Sequence, residues 1–291
     1  MIGKIEYSSF RDLVVPYGGA FLVNRSIDFK VHSIQLLNLV SSDSTYLVDA
    51  KVGGSGFIFV GNNFYGSNIC GFNLSTMFRS SIFVYSKQHN GFFNMSSLSC
   101  TRCNECNVVF GKGNIISNEV NITSSKTEHH TSTIHFGWYP TYYYQENFIG
   151  HNNTGKLIFG HSCSVTTEQI CRNIVLVENE ASNGILFFCN NNHRLINSYL
   201  LHNKGNLYYT DDSTTVLTLE DCYSEDTTGV IVTKGKTFYE TKINVVSPVC
   251  DVLKQNDIYE TCKKLINIRT YTSQRRISYS LFLFILLQTS Q

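Results

Sequence analysis

A short apolar triplet recurs down the chain. It appears as Ile58-Phe59-Val60, Ile82-Phe83-Val84, Val108-Val109-Phe110 and Ile134-His135-Phe136. It continues as Leu157-Ile158-Phe159, Leu186-Phe187-Phe188, Leu207-Tyr208-Tyr209 and Val230-Ile231-Val232. First residues are separated by 24, 26, 26, 23, 29, 21 and 23 positions, and Gly56, Gly155, Gly184 and Gly205 each stand two residues ahead of a triplet. A second apolar segment follows about half a period later, as in Val120-Asn121-Ile122 and Ile174-Val175-Leu176-Val177. Clusters of Asn, Gly, Ser and Thr, which turn tightly at little cost, separate the segments.

A period near 25 with short strands and no helical stripe predicts an all-β fold. The fitting architecture is a right-handed parallel β-helix, a solenoid of about 8–10 coils of about 25 residues. The hand follows from the general chirality of parallel crossovers. Eight coils stacked about 4.8 Å apart would make a core on the order of 34 Å long. Strand alternation predicts that positions one and three of each triplet face inward and the middle position outward. Phe59, Phe83, Phe187 and Tyr208 then stand outside.

The regular array predicts boundaries. Residues 1–52 read as irregular N-terminal coils with an insertion or slip, and 53–249 as the β-helix. Residues 250–274 read as a short helical cap over the open end, and 275–291 as an apolar tail. The run Ile277 to Leu287 is shorter than the roughly 20 apolar residues that span a bilayer, so membrane association through it stays an open expectation. Met1 to Pro16 shows no apolar stretch behind a basic start, so no signal peptide is visible.

Composition agrees with strands. The chain has 291 residues, of which 42% are hydrophobic and 15% charged, with net charge +1. Ala is nearly absent whereas β-branched and aromatic residues abound, which favours strands. The near-neutral balance and scattered basic residues argue against a nucleic-acid partner. Ten Cys and the sequons at Asn24, Asn73, Asn94, Asn121 and Asn152 lean toward an oxidising, extracellular setting in which these asparagines are glycosylation candidates. Cys250 and Cys262 are a candidate disulfide across the cap.

The stretch Gly18-Gly19-Ala20-Phe21-Leu22-Val23-Asn24 is similar to the repeat of polymorphic outer-membrane-type β-helix proteins. Residues Leu219 to Val230 resemble the last coil of protist β-helix surface-protein families. The resemblance covers roughly residues 17 to 250. It implies a cell-surface or extracellular solenoid with a C-terminal membrane segment and no assigned activity.

Candidate chemistry is sparse. A glycosidase needs two carboxylates at a defined separation, and Asp211-Asp212 is the only Asp pair directly after a triplet. A lyase needs an acidic calcium cluster and an arginine on stacked coils, and the triplet strands carry no acidic residue. Cys100-x-x-Cys103-x-x-Cys106, with His129-His130, has metal-like spacing but lacks the second Cys pair of a zinc site, so no metal or cofactor is expected. No nucleophile elbow, phosphate loop or dinucleotide fingerprint occurs. The strongest binding feature is aromatic: Trp138, Tyr139, Tyr142, Tyr143 and Tyr144 would stack on sugar rings or anchor a protein. The expected function is therefore non-enzymatic adhesion or interaction, with glycan or protein as partner. The alternative is a polysaccharide lyase or glycoside hydrolase.

Overall fold

The structure is a computed structural model. It describes residues 2–16, 19–42, 45–47, 50–52, 54–76, 80–86, 91–103, 106–128, 131–162, 169–189, 193–209, 217–224 and 237–240. The helical cap expected over 250–274 and the apolar tail 275–291 lie outside the described residues, as do Cys250 and Cys262. No helix among the described residues is long and apolar enough to cross a membrane.

The described chain is a parallel β-solenoid without helix. Its long strands wrap around corners: β1 (Ile2–Arg11), β3 (Phe21–Ser41), β6 (Phe57–Thr76), β8 (Phe92–Thr101), β9 (Cys106–Thr123) and β10 (Ile134–His151). Shorter strands carry the later coils, among them β11 (Thr154–Ser162), β12 (Gln169–Val177), β13 (Glu180–Cys189), β14 (His193–Ile196) and β17 (Leu217–Glu220). Each pairs in parallel with the strand one coil away. One inward column runs Ile5, Val31, Gly66, Met95, Ser117, Gln145, Cys171, Leu195 and Leu219.

Residues 1–52 were expected to be irregular coils with an insertion or slip. β1 pairs with β3 without a register shift, and β3 pairs with β6 along its length with one shift between Asn24 and Ser26. An antiparallel hairpin, β4 (Thr45–Leu47) with β5 (Ala50–Val52), interrupts the parallel array in the same region.

In seven coils two corners are made by residues with positive φ, five positions apart. The pairs are Tyr7 and Asp12, Ser33 and Asn38, Asn68 and Asn73, Glu119 and Ser124, Asn147 and Asn152, Asn173 and Glu178, and Asn197 and His202. Asn tolerates this left-handed region better than most residues because its short amide bonds locally, which gives the chain's many asparagines a structural use. Between the corners lie four extended residues whose first and third face inward, as in Ile34 and Leu36, Val120 and Ile122, and Ile174 and Leu176, all buried. Two asparagine ladders run along the stack. Outside, Asn147, Asn173 and Asn197 hand amide hydrogen bonds from coil to coil at 2.7–2.9 Å. Inside, Asn153, Asn179 and Asn203 do so at 2.9–3.0 Å while also bonding backbone groups of the coil before.

The triplets stack, but not all in the expected register. Ile82, Val108 and Ile134 share a column as expected; Phe57 rather than Ile58 pairs with Ile82, and Tyr208 rather than Leu207 with Leu186. The first shift follows Phe57, whose ring stacks on Phe21 at 4.7 Å between centroids, so Ile58 takes the outward position. Consequently Phe59 and Tyr208 face the core and are not surface aromatics; Phe59 lies 5.2 Å from Phe64, ring to ring. Phe83 does point outward but is only 1% exposed, lying parallel to Tyr85 at 6.2 Å. The side chain of Phe187 lies outside the described residues.

Candidate functional site

The aromatic segment expected to form a binding patch is part of a strand rather than a loop. β10 runs through Trp138, Tyr139, Tyr142, Tyr143 and Tyr144 and pairs with β9, its register shifting around Pro140, which cannot donate to a ladder. Tyr142, Tyr143 and Tyr144 are in register with Asn114, Ile115 and Ile116. Tyr143 thus holds the register position of the buried Ile115, and Tyr142 and Tyr144 alternate with it. The side chains of Trp138, Tyr139, Tyr142 and Tyr143 lie outside the described residues. Tyr144 is half-buried, and its hydroxyl donates to Glu146 Oε2 at 3.1 Å.

Around Tyr144 the stacked coils build an outward face. One column runs Tyr144, Ile170, Arg194, Thr218; beside it runs Glu146, Arg172, Ile196, Glu220. Both are outward because their strand neighbours Gln145, Cys171, Leu195 and Leu219 face the core. Arg194 donates through Nε to Glu220 Oε2 at 2.7 Å, and its Nη2 bonds the same oxygen. Arg172 stands between Glu146 and Ile196, half-buried, with no hydrogen-bond or ion-pair partner among the described residues. Its register neighbour Glu146 is the residue that accepts from the Tyr144 hydroxyl.

On this face Glu220 is in register with Glu240 of the next strand (Thr237–Glu240), roughly 4.8 Å away at the usual strand spacing, and the side chain of Glu240 lies outside the described residues. Glu146 and Glu220 stand three coils apart, roughly 14 Å at the usual strand spacing. Retaining and inverting glycosidases need about 5–5.5 Å and about 6.5–9.5 Å. Elsewhere Asp12 accepts from Asn38, Asp28 from Asn63 at 2.6 Å, and Glu178 lies 3.1 Å from His151 Nε2. Asp211 and Asp212 lie outside the described residues.

The Cys100-x-x-Cys103-x-x-Cys106 motif is split by the fold. Cys100 and Cys103 are buried free thiols of the core, whereas Cys106 begins β9 in register with Ser80. A hydrogen bond with Cys103, then burial, then the charge of Cys103 push the Cys100 thiol well above its usual value, against a smaller lowering by the Gly71 backbone. His129 and His130 lie outside the described residues, and no group of three or more metal-ligating side chains occurs among those described. Of the sequon asparagines, Asn24, Asn73 and Asn152 are exposed, the last two on positive-φ corners; Asn94 and Asn121 are half-buried.

Arg172, Arg194, Glu146 and Glu220 were not singled out from the sequence. They look like isolated charges there, because only the coil register brings them to one face. The inner ladder had a legible trace in His151-Asn152-Asn153, Glu178-Asn179 and His202-Asn203, with Asn at spacings of 26 and 24. No family model, curated protein or solved structure matches the chain.

Proposed function

We propose that this solenoid is a non-enzymatic recognition scaffold, which binds a surface glycan or a protein on the face formed by Tyr144, Glu146, Arg172 and Arg194. The observation that carries the reading is Arg172, a half-buried guanidinium on a parallel sheet with no hydrogen-bond or ion-pair partner among the described residues. Guanidinium forks grip carboxylate or sulfate groups through two parallel hydrogen bonds, and a neighbouring phenol ring offers an apolar face for a sugar or side chain. Glu146, beside Arg172 and Tyr144, stands three coils from Glu220 and so has no second carboxylate at glycosidase separation within the proposed face.

A cell-surface or extracellular setting belongs to the same proposal. It is supported by the disulfide at Cys70 and by the exposed sequon residues Asn24, Asn73 and Asn152. The test is a glycan and host-surface protein binding screen of the full chain beside Arg172→Ala. Loss of a charge-assisted contact should weaken binding at least about tenfold. Equal binding by both proteins would remove this face, and turnover of a polysaccharide lost in Glu146→Gln would replace the reading with an enzymatic one.

A further inference from the structure

At one corner of the coils the chain turns through a positive-φ residue, and the side chains two before and just after it meet different demands. The residue two before the turn and the residue just after it both face the interior. In the N-terminal coils the one after is Leu39 or Leu74, buried in the apolar core. In the later coils the residue is Ser125, then Asn153, Asn179 and Asn203, whose amides tie coil to coil, and then Cys222. Between these regimes Arg102 makes the turn with φ 54, Cys100 stands two before it and Cys103 directly after. Both sulfurs are fully buried, both are free thiols, and the two side chains are hydrogen-bonded to each other. Gly71, in register with Cys100 one coil away, leaves room for this: a Cβ there would lie 3.0 Å from Cys100 Sγ.

We propose that Cys100 and Cys103 are a covalent site, a dithiol that closes to an intracoil disulfide at this corner. The chemistry is thiol–disulfide exchange with a small-molecule disulfide as oxidant. One cysteine thiolate, having given its proton to water, attacks a sulfur of the reagent and expels one reagent thiolate. The second thiolate then attacks the resulting mixed disulfide, forms the Cys100–Cys103 bond and expels the other reagent thiolate. Two cysteine S–H bonds and one reagent S–S bond are lost; one protein S–S bond and two reagent thiols are gained. Burial shuts reagent out of the closed coil, so the bond forms as the corner folds or opens. Oxidation therefore replaces a pair of apolar thiols by a cross-link in the coil that lies between those carrying Leu74 and Ser125 at this position.

The experiment uses the full chain, unfolded under reduction and refolded in a buffer of reduced and oxidised glutathione. Remaining thiols are blocked with N-ethylmaleimide under denaturing conditions and the digest is mapped by mass spectrometry. The expected product is an unblocked peptide holding both Cys100 and Cys103, about 2 Da lighter than its reduced form. Blocking of both cysteines, or linkage of either to Cys70, Cys106 or glutathione, overturns the proposal. The peptide map is read on the native sequence, so it does not depend on a cysteine variant folding.

Discussion

Asn179 serves four groups at once. Its Oδ1 accepts from the Asn153 backbone N–H at 3.0 Å and from Asn153 Nδ2, while its Nδ2 donates to the Gly150 carbonyl at 2.9 Å and to Asn203 Oδ1. All this takes place at 1% exposure, where water cannot substitute. Asn179→Leu keeps the bulk and strips the bonds, at about 1–3 kcal/mol for each buried group left unmatched. Urea unfolding should show a loss of about 2–5 kcal/mol for it, against under about 1 kcal/mol for Asn147→Gly on the exposed ladder. Equal losses would mean the inner amides merely fill space. Cys100 supplies a pH prediction. Its folded thiol titrates above its usual value of 9.0, so the folded state holds the proton that the unfolded chain releases. The stabilisation is fully present below about pH 9 and is lost as pH climbs toward the raised folded value. Reduced protein should thus lose stability in mild alkali, and Cys100→Ser should flatten that part of the profile.

At the scale of the element, the corners decide which residues fit. Glu119 occupies a positive-φ corner at φ 53 in the column continued by Asn147 and Asn173. Glu119→Asn should be stabilising by about 0.5–1 kcal/mol, visible as a small rise in melting temperature, because Asn relieves the left-handed cost. Gly205 shows the converse: at φ +112 a Cβ would sit 2.1 Å from the Ala181 carbonyl oxygen. Gly205→Ala should cost at least about 2 kcal/mol by denaturant unfolding. The sequence made the strand segments and turns legible through their apolar triplets and Asn clusters. It did not reveal the register, because Phe57-Ile58-Phe59-Val60 has four apolar residues in a row and alternation cannot choose between its two faces. The Phe21–Phe57 stack makes that choice through a residue 36 positions away. A one-residue slip then reverses every side chain, which is why Phe59 reads as outward and folds inward.

For the whole molecule, the repeat was legible because a solenoid writes its period into the chain, whereas its outward face was not. Glu146, Arg172, Arg194 and Glu220 are 26, 22 and 26 residues apart, and neither charge nor spacing marks them until coils are stacked. The same stacking governs how the molecule opens. Each coil is buried by its neighbours, so stability is a sum of interfaces rather than the property of one closed core. Among the described residues β1 pairs only with β3, with Ile2 72% and Val14 74% exposed at this end. β9 has β7 (Ser80–Ser86) and β8 on one side and β10 on the other. In a parallel ladder successive backbone groups turn to opposite neighbours, so about half of the β1 amides face an open edge. Amide hydrogen exchange should therefore alternate along β1, fast at the edge-facing positions, while β9 is protected throughout. Uniform protection across both strands would show that the coils open together as one cooperative unit, and a β9 that exchanges faster than β1 would contradict the order of stacking itself.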